Sequence, residues 1–452
     1  MNVIKPAAHD ARSAGPGPKS RALVAAEKDV VAPGLQRIAQ LSELALTEGR
    51  GCRLTDADGN QYLDFFAGVA VASLGHSHPR FVKALTEQLN KLVVGSFTTE
   101  PRLRLLRLIA ELAPGGLRRT QLYSGGAEAV EAAIRLAKSF TEKFEVLGFW
   151  GGFHGKTGGV MGLIGDEWKQ KWGPLAPGTH LVPYADCYRC PFQMKYPDCG
   201  MFCLDFARKA IKTQTAGMIA AVLVEPMQGT AGNVVPPPEF LPGLADIARE
   251  NEALLIADEM ITGFGRTGKM FGVEHTGTQP DVMTVGKGLG CGFPVSGLIS
   301  TDEISSSLPF AKASSSSSSY GANPLAATAA LTTIETIVEE GLVRNSERVG
   351  KVLLDGLRQL QEKYEMIGDV RGVGLMLGMD LVKDRRSKEP ISPAVNEQIF
   401  LAALRRGLLL MGYFSRVRIN PPLILSETEA RDGLAILDEV FGEISRNGAY
   451  RQ

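Results

Sequence analysis

The chain has 452 residues, enough for two or three domains or for one large domain with an appendage. Its 49 basic residues balance 49 acidic ones, which argues against a nucleic-acid partner or an anionic membrane surface and leaves a small molecule as the default partner. No apolar run approaches the roughly 18 residues that span a bilayer, and the first 20 residues lack an apolar signal core, so a cytoplasmic protein is expected.

In chain order, residues 1 to about 30 are expected to be a disordered or loosely docked lead. Between Leu54 and Asp64, apolar flanks about Asp58-Gly59-Asn60 predict a hairpin. Gly75-His-Ser-His-Pro79 predicts a turn before an amphipathic helix that begins near Pro79 or Arg80. His76 and His78 in that turn are expected to make local structural hydrogen bonds rather than to catalyse. A strand ending at Tyr123 then passes through Ser124-Gly125-Gly126 into an Ala-rich helix reaching Lys138. The free N–H groups and positive end of that helix suit a phosphate. Phe153 and His154 sit between glycines, and the aromatic face there either stacks on a flat cofactor or plugs the core.

The chain has six cysteines, four of them clustered as Cys187-x2-Cys190-x8-Cys199-x3-Cys203. Two close pairs could ligate zinc, but the spacing departs from the usual ribbon patterns. Reduced thiols in a surface insertion rich in Tyr, Pro and Gly, with no metal, are expected. Further on, Ile219–Val224 and Leu254–Ala257 are unbroken apolar runs that end in Glu225-Pro226 and Asp258-Glu259, with a helix over about Leu241–Glu250 between them. Strand, helix, strand with acids at the carboxyl ends predicts a parallel sheet whose site lies along one edge. Gly263-Phe-Gly265-Arg-Thr-Gly268 matches GxGxxG literally, but the following stretch is too broken by Gly and Pro for the long helix a dinucleotide site needs.

Val282–Val285 is another short strand, and it runs into Gly286-Lys287-Gly288. A P-loop would need Ser or Thr after the lysine, where Gly288 stands. A lysine at the end of a buried strand loses solvation, which lowers its pKa and frees the amine to condense with an aldehyde such as pyridoxal phosphate. On local grounds alone an exposed lysine on a flexible turn competes with that reading. Ser314–Ser319 has the composition of a flexible linker, and Asn323–Glu335 predicts a strong helix. From about residue 340, helices over Leu342–Tyr364 and Val395–Arg406 alternate with strand-like Val370–Leu381 and Val417–Leu423.

The ordered motifs DGNQYLDF, GHSHP, GGAEAVEAA, GGFHGKT, VEPMQG, ADEMITGFGRTG, GKGLGCGFP, YGANPLA, RGVGLMLGMDL and RINPPL, from about Leu54 to Leu423, resemble the class III pyridoxal-phosphate-dependent aminotransferases of fold type I. The resemblance implies an α/β fold with a mainly parallel seven-stranded sheet in a large cofactor-binding domain (71–335). It also implies a smaller α/β domain (336–452) and an N-terminal segment (1–70) packed with the small domain. It makes Lys287 the Schiff-base lysine and proton carrier, and Asp258 the partner of the pyridine nitrogen. It sets Phe153 and Met260 on the two faces of the ring and draws the amides of Gly126 and Ala127 to the phosphate. Gly125, His154 and Glu225 complete the set of cofactor contacts, and Ser319 reaches in from a partner subunit across a homodimer interface.

Several positions depart from the family pattern. Gly125 stands where a serine is usual, Ser319 replaces threonine, and Ile261 replaces a glutamine that bonds the cofactor's phenolic oxygen. Thr230, within Gln228–Gly232, replaces the glutamate that pairs with the later arginine and gates α-carboxylates. Arg418 is then either available to a substrate carboxylate or a brace for the C-terminal domain. The cysteine insertion resembles one found in members that include amino-acid racemases. The expected activity is a transaminase moving an amino group from an amino-acid donor to an aldehyde or ketone, with an amino sugar of an aminoglycoside pathway among the candidate substrates. A racemase or epimerase on the same cofactor is the alternative.

Overall fold

Runs such as Ile219–Val224 and Leu254–Asp258 are buried at every position, and in such runs a strand is stable only inside a sheet covered on both faces. The computed structural model describes residues 15–413 and 415–451. Its strands are β1 (Leu46–Arg50), β2 (Arg53–Asp56), β3 (Gln61–Asp64), β4 (Arg119–Tyr123), β5 (Glu145–Phe149), β6 (Thr179–Val182), β7 (Ile219–Val224) and β8 (Leu254–Asp258). They continue with β9 (Val282–Val285), β10 (Ser296–Ser300), β11 (Ile367–Val373), β12 (Met376–Asp384), β13 (Glu389–Pro390), β14 (Leu408–Leu409), β15 (Met411–Tyr413) and β16 (Arg416–Ile419).

The central sheet has seven strands in the order β4-β10-β9-β8-β7-β5-β6. Neighbours are parallel except at β10, which runs against both β4 and β9. This is the mixed α/β architecture expected. The helix Gly126–Thr141 buries Ala129, Val130, Ala132, Ala133 and Ala137 against the sheet, small side chains that let helix and strands approach closely. A second sheet, β1-β2-β3-β14, joins the N-terminal meander to a late strand through parallel pairing of Leu63 with Leu408. A third sheet takes the order β11-β12-β16-β15, with β13 on β12.

The hairpin turn at Asp58-Gly59-Asn60 joins β2 to β3, and the Asp56 carboxylate gathers the N–H groups of Asp58 and Asn60 at 3.0 and 2.8 Å. The next aspartate corrects the reading of the lead. Residues 1–14 lie outside the described residues, but Pro18–Lys28 is a helix, not a loose segment. Asp58 accepts from Lys19 N at 2.9 Å and Ser20 N at 2.8 Å, so an anion sits at the helix start, where unsatisfied N–H groups want one. The strand-like stretch Val370–Leu381 forms parts of two strands, β11 and β12, that turn at Gly374, whose φ of +57° favours glycine. The serine run is packed rather than loose at Ser316, which is buried and bonded to the Tyr123 hydroxyl at 2.8 Å. Asn323 then caps the helix Pro324–Glu339 through Ala326 N at 2.9 Å. Among the described residues, no helix is long and apolar enough to cross a membrane.

Candidate active site

The carboxyl ends of β7, β8 and β9 lie side by side, so the residues that finish those strands meet above one edge of the sheet. Glu225 follows β7, Asp258 ends β8, and Lys287 comes two residues after β9. Lys287 takes a left-handed φ of +43° at the start of a short 3-10 turn. A side chain at Gly286 before it would displace Met260, since a Cβ there would stand 2.6 Å from the Met260 sulfur.

Asp258 is buried and held from three sides. His154 Nδ1 lies 2.6 Å from its Oδ2, while Thr284 Oγ1 and the Met260 amide each donate to Oδ1 at 3.1 Å. Glu225, also buried, accepts from Phe153 N at 3.0 Å and from Gly229 N at 2.9 Å. Burial disfavours the Lys287 ammonium and lowers its pKa, with Arg418 pushing the same way and Asp258 and Glu225 opposing. Burial raises the Glu225 carboxyl. For His154 burial acts downward, but the hydrogen bond and charge of Asp258 outweigh it and the imidazole is raised. A lysine, a histidine and two carboxylates out of water, with the amine pushed toward neutrality, form a proton-handling centre.

Beside them is a cavity of about 320 Å³ lined by Ser124, Gly126, Ala127, Phe153, His154, Asp258, Met260 and Lys287, within the size range of small-molecule sites. Gly126 and Ala127 are the first residues of the helix, where N–H groups lack intrahelical acceptors. Gly125 is not part of the lining, and its N–H and that of Ser124 turn to the Glu128 carboxylate at 3.4 and 3.1 Å. Phe153 meets Trp168 edge-on at 5.7 Å, and Lys156 Nζ sits 5.2 Å from the Trp168 ring centre. An amine, a buried carboxylate across a cavity from a helix start, and a ring and a thioether in its walls fit an aromatic aldehyde that carries a phosphate.

Other expected site residues lie outside that lining. Arg418 is buried on β16, donating to Gly229 O at 3.2 Å and approaching the Met411 sulfur at 2.8 Å. Thr230 is half-buried in the adjoining turn, and Ser319 is exposed on the loop before the helix Pro324–Glu339. His76 pairs with Asp64 at 2.8 Å and His78 with Glu340 at 3.4 Å, so both histidines of the Gly/Pro turn serve structure. Cys187, Cys190, Cys199 and Cys203 are free thiols around one apolar hollow of about 20 Å³. Burial and the neighbouring thiols push Cys187 up to about 11, and burial does the same to Cys203. Among the described residues no group of three or more His, Cys, Asp or Glu is arranged to hold a metal ion. Sequence reasoning missed Thr284, whose signal was a hydroxyl inside an otherwise apolar strand.

Comparison with known proteins bears on the chemistry. The family model described as aminotransferase class-III matches residues 36–441. A leucine/methionine racemase of Thermococcus litoralis is 34% identical over 409 residues, covering 89% of this chain and 91% of that protein. An acetylornithine aminotransferase of Methanopyrus kandleri is 36% identical over 404 residues, covering 88% and 94%. A solved amine transaminase from an uncultivated Pseudomonas species, in its PLP-bound form, superposes with a TM-score of 0.86 at 30% identity, covering 91% of this chain and 98% of that one.

Proposed function

The chain belongs to the class III aminotransferases, enzymes that depend on pyridoxal phosphate, and from that premise we propose that it moves an amino group from an amino-acid donor to the aldehyde or ketone of an amine-type substrate, with Lys287 and Asp258 as its catalytic residues. When bound, the cofactor supplies an aldehyde for a lysine and a ring that accepts electrons. Asp258 would hold the ring nitrogen protonated, its carboxylate fixed by His154, Thr284 and the Met260 amide. Lys287 would take and return the proton at the substrate carbon, a task favoured by the neutral amine that burial promotes. Phe153 and Met260 would pack against the ring, the amides of Gly126 and Ala127 would hold the phosphate at the helix start, Gly125 shapes that turn, and Glu225 ties Phe153 to the 229–232 turn.

On the substrate side, Arg418, held at Gly229 O, lends its charge to a donor carboxylate, and Thr230 leaves room for bulk that an acidic gate would refuse. Aldehydes of amino sugars fall in that class. The reading includes a cytoplasmic homodimer in which Ser319 of a second copy completes the site. Exposed Leu89, Leu92, Val94 and Phe97 support it, since an apolar run of that kind is usually covered. It also divides the chain at about residues 70 and 335, supported by the β3–β14 pairing that ties the first segment to the last.

The observation that carries the reading is a buried lysine of lowered pKa beside a clamped aspartate at the strand ends. The test is a panel of amines and amino acids added to holoenzyme. The visible absorbance should bleach with donor alone and return when a keto or aldehyde acceptor follows. Solvent deuterium entering the amine-bearing carbon without any keto product would instead establish racemisation, the activity named for the Thermococcus relative.

A further inference from the structure

One turn is held by three arginines of the third sheet. Arg418 Nη1 donates to Gly229 O at 3.2 Å, Arg371 Nη2 to Gly232 O at 2.7 Å, and Arg416 Nη1 to Ala231 O. Asn233 next to it donates to Leu377 O at 2.6 Å and to Asn420 Oδ1 at 2.8 Å. Position 378 on β12 must be glycine, because a Cβ there would collide with Gly232 O. The turn is tied to the catalytic centre through Gly229 N, which donates to Glu225 at 2.9 Å, and the charge of Arg418 is felt by Lys287.

Behind the arginines is a charge cluster with Asp380 at its centre. Asp380 is 1% exposed and lies 2.6 Å from Arg189 Nε, 2.6 Å from Arg371 Nη1 and 3.5 Å from Arg416 Nε. Arg371 also reaches Asp369 at 2.7 Å, and Arg416 reaches Asp186 at 3.2 Å. Three guanidinium groups thus face three carboxylates, and the cluster is balanced without an outside ion. A half-paired version would cost the fold several kcal/mol, so each member depends on the rest. Two members, Asp186 and Arg189, flank Cys187 at the start of the cysteine-bearing insertion. Lys388 fastens that corner again, donating to Tyr188 O at 2.8 Å and lying 4.5 Å from the Tyr188 ring centre.

We propose that the cysteine-bearing insertion is a specificity element of the active site: Asp186 and Arg189 fix Arg416 and Arg371 through Asp380, and those arginines set the 229–232 turn and with it the space left for the amino substrate beside Lys287. Arg416 is a positioning residue here, touching the turn and the cluster. The proposal rests on the transaminase reading and deepens its substrate side.

The test uses holoenzyme of Arg416→Ala, Arg416→Lys and Arg189→Ala. Arg416→Ala should raise KM for the amino donor by about tenfold while kcat stays within about threefold and pyridoxal phosphate affinity is unchanged. Arg416→Lys should not restore it, because one ammonium cannot span Ala231 O, Asp186 and Asp380 together. Arg189→Ala, cut only at the insertion side, should raise KM by about threefold, and it keeps the proposal testable if the Arg416 variants fail to fold. A KM within twofold of the parent in a folded Arg189→Ala or Arg416→Ala enzyme, whatever its Tm, overturns the proposal. A parent enzyme whose absorbance responds to no amine overturns the transaminase reading instead.

Discussion

Two buried charge clusters are tied to the 229–232 turn, one through Glu225 and the other through Arg371 and Arg416, and physical chemistry drives them different ways. For Lys287 and Glu225 burial wins: the amine is pushed down and the carboxyl up, each toward its neutral form, while His154 beside them is raised by its bond to Asp258. Around Asp380, pairing wins: burial alone would raise its carboxyl, but Arg371, Arg416 and Arg189 hold it below the usual range, and Arg371 is raised in turn. The distances explain the difference, since Asp380 touches two guanidinium groups at 2.6 Å in direct, charge-assisted contact. One cluster is poised to move protons and the other to hold shape.

The largest effect that sharpens this contrast is Lys287→Ala. It should cut turnover by at least about 10²–10⁴-fold, the range of a lost acid/base group, while circular dichroism and the denaturant midpoint stay near the parent's. Near-normal rates would break the assignment of the first cluster. Asp380→Ala should do the reverse, leaving three arginines short of an acid and costing about 3–5 kcal/mol of stability in denaturant unfolding. A loss below about 1 kcal/mol would show that the second cluster holds nothing in place.

A smaller effect concerns Glu259, the neighbour of Asp258, in which burial wins even against three donors. Thr262 Oγ1 and the amides of Gly272 and Val273 point at its carboxylate, yet its pKa is pushed up from an ordinary 4.5 to about 7. The folded protein therefore holds this proton more tightly than the unfolded chain, and stability should fall as pH rises from about 4.5 to 7, by at most about 3 kcal/mol. Unfolding midpoints at pH 5 and pH 7.5 check this, and the drop should shrink in Glu259→Gln. A parent whose stability rises across that window would show that the three donors outweigh burial.

The first cluster was legible in the sequence and the second was not. Lys287 and Asp258 each stand at the end of a continuous apolar run, and a strand that must be buried on both faces announces its own end. The Ser-Gly-Gly turn before Gly126–Thr141 was legible for the same local reason. Asp186, Arg189, Asp369, Arg371, Asp380 and Arg416 are each an ordinary charge in an ordinary setting, and nothing in their spacing marks them. Thr284 was visible only as one hydroxyl in Val-Met-Thr-Val, and the helix Pro18–Lys28 was hidden because its stabilising anion, Asp58, lies on a hairpin about forty residues away.

What the chain determined by itself were its periodicities and its interruptions: which runs are strands, where glycine opens the backbone, and which reactive side chain stands at each strand end. Those properties depend on neighbours a few residues apart. Tertiary structure alone decided which charges would be paired, because pairing depends on distances of 2.6–3.5 Å between groups up to 230 residues apart. Loss of water then pushes a lysine down in one place, while in another the arginines that the fold has brought into contact overcome it and hold an aspartate down.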